Sequence, residues 1–336
     1  MAEARVRVAL VGAGAMAGRY HYPSLASFDD VELVGISDLI GDKARAAANR
    51  FGIPQHAVHV DYRRMLAETM PDAVYILMPP QILYEPAHHA LTQGVHVFVE
   101  KPLALTTTQA RMLAYTAGEH DCLTMVGFQR RHVPAATALR ARIEERGPIH
   151  FADVSFLKST PDFSIPAGFY DGAIDPLTSD GIHAVDTLRW LCGGEVEEVQ
   201  VQVRQRSVAG PVPNVFSALV SFSTGAVGAV HYNLVTGRRI FRTEFSAVNA
   251  TAYVDADRES WFVADGGELE VTPSIEYGRP AVRPGEEPQP QHWLGFWHEH
   301  RHFIDCVGSG AQPESHFADA VKSMELVERI LTAENR

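Results

Sequence analysis

A glycine-rich turn close to the start of the chain constrains its fold more than any other feature. Residues 6–11, VRVALV, form a short β-branched apolar run, and Gly12, Gly14 and Ala17 follow in the spacing G-x-G-x-x-G/A. The first glycine lets the turn close tightly, and the second lets backbone N–H groups reach a pyrophosphate at the N-terminus of the next helix. Alone, the pattern is weak. Its setting makes it specific, because a second strand-like run, residues 31–37, ends at Asp38, 20 residues beyond Gly18. That is where a dinucleotide-binding unit hydrogen-bonds a ribose 2′-OH. The competing reading is a flexible turn between two core strands, with Asp38 a solvated strand end. An unhindered Asp38 repels a 2′-phosphate, and Leu39 and Ile40 supply no cation to bind one, so NAD is favoured. NADP is the less favoured cofactor, kept in view by Lys43 and Arg45.

Length then sets the scale. At 336 residues the chain exceeds what one hydrophobic core organises, so two domains are expected. Its formal net charge of −12 argues against nucleic-acid partners and anionic membrane surfaces. Cys122, Cys192 and Cys306 are odd in number and widely spaced, which suggests neither a disulfide framework nor a zinc knot. No 18-residue apolar stretch is present, and the first residues enter a strand directly, so a cytoplasmic protein is expected.

Up to residue 127 the chain alternates short β-rich runs with helical stretches. Helices are predicted at 15–27, 42–51, 85–93 and 106–120, and strands at 31–37, 73–77, 96–99 and 123–127. This is the pattern of an open, doubly wound parallel sheet, whose ligands lie beyond the carboxyl ends of the strands. After a predicted helix at 134–146 the pattern changes. Runs at 151–158, 196–204, 215–223, 226–233, 241–247 and 250–254 alternate or are β-branched without intervening helices, which predicts one mostly antiparallel sheet. Closing helices are predicted at 293–307 and 317–334, after a Pro-rich loop at 280–291. The fold expected is therefore α/β plus α+β: a Rossmann domain at 1–128 and an open-sheet domain at 129–336.

Two further stretches carry chemistry. Glu100-Lys101-Pro102 stands at a strand's carboxyl end, where partial desolvation lowers an ammonium pKa and the lysine can hydrogen-bond a substrate hydroxyl. A surface lysine in a strand-to-helix turn is the plainer alternative. At 180–186, DGIHAVD, His183 and Asp186 are three apart and share a helical face, with Asp180 a possible third member. A carboxylate beside an imidazole fixes its tautomer for acid-base work.

The glycine turn, Asp38, Glu100-Lys101-Pro102 and then Gly127-Phe128-Gln129-Arg130-Arg131 with Pro134, in this order and spacing, resemble the Gfo/Idh/MocA family over essentially the whole chain. The resemblance implies an NAD-dependent dehydrogenase or reductase of a sugar, polyol or cyclitol, working as a homodimer or homotetramer. It places Gly12, Gly14, Ala15, Met16, Asp38, Pro79, Glu100 and Lys101 at the cofactor. His183 becomes the acid-base group, Lys101 polarises the same oxygen, and Asp186 or Asp180 orients the histidine. Lys101, Arg131, Tyr170, Ser179 and His183 are the candidate substrate contacts, Arg131 being equally a structural residue and Tyr170 a packing one. The family's frequent Asp four before the histidine is here Ser179, with Asp180 adjacent. Its upstream Gly-Gly segment is replaced by Ile174-Asp175-Pro176-Leu177, and a His often found just after the Pro79-Pro80 loop by Leu83. These departures suggest a reshaped sugar pocket. No metal is expected. His298 and His302 share a helical face, but closing-helix residues are the better reading than a metal site with His183 and Asp180. Two other functions stay open: redox-neutral, NAD-assisted glycoside cleavage, and a non-catalytic NAD-bound sugar sensor.

Overall fold

The computed structural model describes residues 5–159, 172–206 and 212–333. It divides into two compact units, residues 1–128 with 296–321, and residues 129–295 with 322–336.

The first unit is built on six parallel strands: β1 (Val6–Val11), β2 (Val31–Ser37), β3 (Val58–His59), β4 (Ala73–Ile76), β5 (His96–Val99) and β6 (Thr124–Val126). Their order is β3-β2-β1-β4-β5-β6, so the winding reverses between β1 and β4. The carboxyl ends of those two strands therefore open a crevice of the kind that receives nucleotides. β4 is buried along its length, as befits a central strand covered on both faces. The intervening helices stop where local chemistry says they should. Gly52 ends Gly41–Phe51 at φ +75°, and the Asp61 and Thr106 side chains cap the helices Tyr62–Thr69 and Thr107–Glu119.

The helix expected at 85–93 begins earlier, at Pro80, and runs Pro80–Thr92. Pro80 occupies the first helical position, where its fixed φ suits the helix and its missing N–H costs nothing. The helix Phe296–Ser309 also belongs to this unit, and residue 315 extends the sheet edge through Val126 N–H to Ser315 C=O (2.9 Å). Leu10, Tyr22, Ile36, Tyr75, Phe98 and Phe303 are all fully buried in its core.

The second unit carries eight strands: β7 (Phe151–Leu157), β8 (Val196–Arg204), β9 (Val215–Phe222), β10 (Val227–Asn233), β11 (Ile240–Ala247), β12 (Ala250–Asp255), β13 (Glu259–Ala264) and β14 (Glu270–Pro273). The order β14-β13-β12-β11-β7-β10-β9-β8 is antiparallel throughout except for the β7·β10 pair. Strand β9 alternates buried with more exposed positions, so one face packs and the other does not. The helix Ile182–Cys192 packs on β7 and β10. Gly228 of β10 permits this approach, since a Cβ there would stand 2.5 Å from Leu188 Cδ1. Among the described residues, no helix is long and apolar enough to cross a membrane.

Candidate active site

In the first unit the glycine turn sits at the crevice between β1 and β4. Gly12 has φ +97°, and a Cβ there would lie 2.5 Å from the Leu77 carbonyl oxygen, so glycine is required by both conformation and space. At Gly14 a Cβ would meet nothing within 4 Å. The protein's own packing does not demand a glycine at 14, and its bare backbone leaves room for close approach of a group from outside the turn. Gly14, Ala15 and Met16 are exposed along that edge, as is Pro79 beyond β4.

Asp38 is held beside the turn. One carboxylate oxygen accepts the Ala13 N–H at 2.7 Å and the other the Ile40 N–H at 2.8 Å. Leu39 and Ile40 are exposed, and the guanidinium of Arg45 is drawn to Asp42 at 2.5 Å. The buried Tyr22 hydroxyl donates to the Gly12 carbonyl, and burial together with the Asp38 charge pushes its pKa well up, so it acts as a fixed donor. A tight glycine, an open glycine and a fixed carboxylate fit a dinucleotide whose ribose hydroxyl is unphosphorylated.

Glu100 and Lys101 follow β5. One Glu100 oxygen lies 2.8 Å from His21 Nε2, and the other accepts the Lys101 N–H at 3.1 Å. Burial raises the Glu100 carboxyl, but the hydrogen bond and charge of His21, then the charge of Lys101, leave it below its ordinary value. The half-buried Lys101 thus leaves β5 from a backbone tied to an ionised carboxylate.

In the second unit His183 lies at the start of Ile182–Cys192, 8% exposed, with its ring 6.5 Å from that of Phe156. The expected His183–Asp186 partnership is not formed. Both Asp186 oxygens are taken, by Arg131 Nε (2.8 Å), Arg131 Nη2 (2.6 Å) and Ser323 Oγ (2.7 Å). Helical spacing brings residues 183 and 186 to one face, but a guanidinium fork satisfies a buried carboxylate better than one imidazole N–H does. Arg131, 4% exposed, is held by Asp186, which fits the structural role expected for it as an alternative to a substrate contact.

Asp180 sits in the wide π-turn Leu177–Gly181, where α-helical i, i+3 geometry does not apply, and it pairs with Lys158. Gly181 lets this turn press on Tyr232, whose ring would lie 2.9 Å from a Cβ there. Ser179 is buried, with its N–H on the Asp175 carbonyl (3.0 Å). Tyr170 lies outside the described residues. Lys158 and Ser323 join the site without a motif to mark them. Lys158 ends a predicted strand, and its pairing with Asp180 across 22 residues has no local signal. His302 and His298 are half-buried, and the ring of His302 accepts the Glu314 N–H at 3.1 Å.

Residues 6–128 match the oxidoreductase family with an NAD-binding Rossmann fold, GFO_IDH_MocA, and residues 139–253 match the GFO/IDH/MocA C-terminal domain. The chain belongs to this family. It is an oxidoreductase with an NAD-binding Rossmann fold. Among relatives of the GFO/IDH/MocA chain, D-glucoside 3-dehydrogenase of Escherichia coli is 29% identical over 57% of this chain and 56% of that protein. The scyllo-inositol 2-dehydrogenase (NAD(+)) of Bacillus subtilis is 26% identical over 96% of this chain and 92% of that protein. A dehydrogenase from Chromobacterium violaceum shares the fold, with a TM-score of 0.84 at 22% identity over 98% of this chain and 96% of that one.

Proposed function

We propose that this family member transfers a hydride between NAD and a hydroxyl-bearing carbon of a sugar, polyol or cyclitol. The observation that carries this reading is Lys101, placed directly after the His21-anchored Glu100 at the end of β5, in the unit that bears the glycine turn and Asp38. The activities of the Escherichia coli and Bacillus subtilis relatives, on a glucoside and an inositol, support the substrate class.

Bound NAD supplies the hydride acceptor, or in reduction the donor. Asp38 selects the unphosphorylated ribose, and the open Gly14 admits the pyrophosphate. The Lys101 ammonium orients the reacting oxygen and stabilises charge that develops on it. His183 takes the hydroxyl proton as the C–H bond breaks, and returns it in reduction. With Asp186 held by Arg131, the carboxylate closer to this role is Asp180, whose own charge is balanced by Lys158. Residues 1–128, with the segment 296–321 that belongs to their unit, are the proposed dinucleotide domain, and the rest of 129–336 is the substrate domain, which we also take to build a homodimer or homotetramer.

The test is absorbance at the NADH band as the purified chain, supplied with NAD, meets a panel of inositols, hexoses, uronic acids and simple glycosides. One responding class is expected. Silence across the panel, with NAD binding shown separately, overturns the reading and leaves redox-neutral cleavage or a sensor.

A further inference from the structure

The helix Phe296–Ser309 turns an unusual stripe inward. Positions 296, 299, 300, 303 and 304 follow core spacing, and all are buried; three are Phe296, Phe303 and Ile304, but the middle two are Glu299 and His300, both 0% exposed. Facing them is His21, also 0% exposed, at the end of the π-turn Ala17–His21 that follows the glycine motif. His21 Nδ1 lies 3.0 Å from His300 Nε2, and Glu299 Oε1 lies 3.9 Å from the same nitrogen. One ligand atom from each of the three side chains falls within 4.8 Å of the others.

Among the described residues, neither oxygen of Glu299 has a hydrogen-bond partner. Around the group stand the rings of Tyr75, Phe98 and Phe296, with Tyr75 and Phe98 each 5.2 Å from His300 and Phe296 5.5 Å from His21. An acid so placed costs several kcal/mol as a bare carboxylate, and a core helix gains nothing from it.

We propose that His21, His300 and Glu299 are the protein ligands of a buried divalent transition-metal ion, with zinc the best match. Two imidazoles and one carboxylate are a common zinc donor set, and donors about 2.1 Å from a tetrahedral ion stand about 3.4 Å apart, midway between the two separations seen here. The remaining ring nitrogen of His21 meets Glu100 Oε1 at 2.8 Å, the carboxylate–histidine–metal arrangement that fixes a ligand's tautomer. One dication balances Glu299 and Glu100 together. All three ligands are closed to solvent, so the ion is acquired as the unit folds and serves structure, not substrate. It ties the turn after the glycine motif to the helix at 296–309 and, through His21, fixes the Glu100 carboxylate from which Lys101 projects.

The experiment measures metal content by mass spectrometry in the full chain, purified from zinc-supplemented cells and dialysed. Cobalt(II) titration of the chelator-stripped chain is followed through its visible bands. About one equivalent of zinc per chain and an intense tetrahedral cobalt spectrum are expected. Glu299→Gln and His300→Ala should each weaken cobalt binding at least ~100-fold, while His183→Ala keeps it. Folded wild-type chain that neither retains zinc nor develops the cobalt bands overturns the proposal, even if both ligand variants prove insoluble. Retention of full metal by both ligand variants overturns it equally. NAD binding, read separately by calorimetry, tells failure of this site from failure of the dehydrogenase reading.

Discussion

Lys101→Ala is expected to lower kcat by about 10²- to 10⁴-fold, the range for losing a positioned group that acts on the reacting oxygen. NAD affinity should stay within about threefold, under 1 kcal/mol. The asymmetry follows from where each function is built. In the proposed site Gly12, Gly14, Asp38 and the helix that starts beside them meet the dinucleotide, and their own geometry is set by the turn and not by the ammonium of residue 101. The Lys101 backbone is held by Glu100, and Glu100 by His21, so truncation removes the charge and leaves the turn in place. Lys101→Arg should not restore the rate, because a planar fork cannot occupy the position of a compact ammonium. Steady-state rates beside calorimetric NAD binding separate the two effects; a variant that keeps its kcat removes Lys101 from the chemistry.

The second large effect is on stability. Arg131 and Asp186 form a two-point ion pair, with side chains 5% and 1% exposed. Ser323 adds a third contact to Asp186 and itself receives Arg189 Nη1 at 2.6 Å. Removing either charged partner strands the other in a low-dielectric interior at a cost of about 3–5 kcal/mol. Arg131→Ala and Asp186→Ala should therefore each reduce the midpoint of urea unfolding by that equivalent, and the double variant should fall by much less than the sum. The same pair distinguishes two roles for Asp186. If it oriented His183, Asp186→Asn would shift the pH profile of kcat; as a structural anion, it lowers the unfolding midpoint and leaves that profile where it was.

The parts legible in sequence are those whose cause is local. Gly12 requires positive φ within its own turn, Asp38 ends the strand that precedes it, and period-2 alternation marks β9 and β10 without any neighbour being known. Partners far apart in sequence were hidden. Arg131 and Asp186 are 55 residues apart, and His21 and His300 are 279 apart. Spacing alone allowed Asp186 to serve His183, and only the three-dimensional path of the chain brings a guanidinium to it first. Helical phase gave the second difficulty. His298 and His302 do share a face, but that face is half-exposed, and the buried one runs through Glu299 and His300 between aromatic residues. β13 and β14 escaped notice because their short runs are set among polar, Gly-rich residues at 265–268, and they gain their order by pairing outward from β12.

The proposed reaction passes a hydride between a carbinol carbon and NAD. It is tested most directly by supplying the responding sugar or polyol with deuterium at its carbinol carbons and measuring the mass of the NADH formed. One deuterium is expected in each NADH, lost together with turnover in Lys101→Ala. Substrate consumed while the NADH is unlabelled, or while none accumulates, contradicts it.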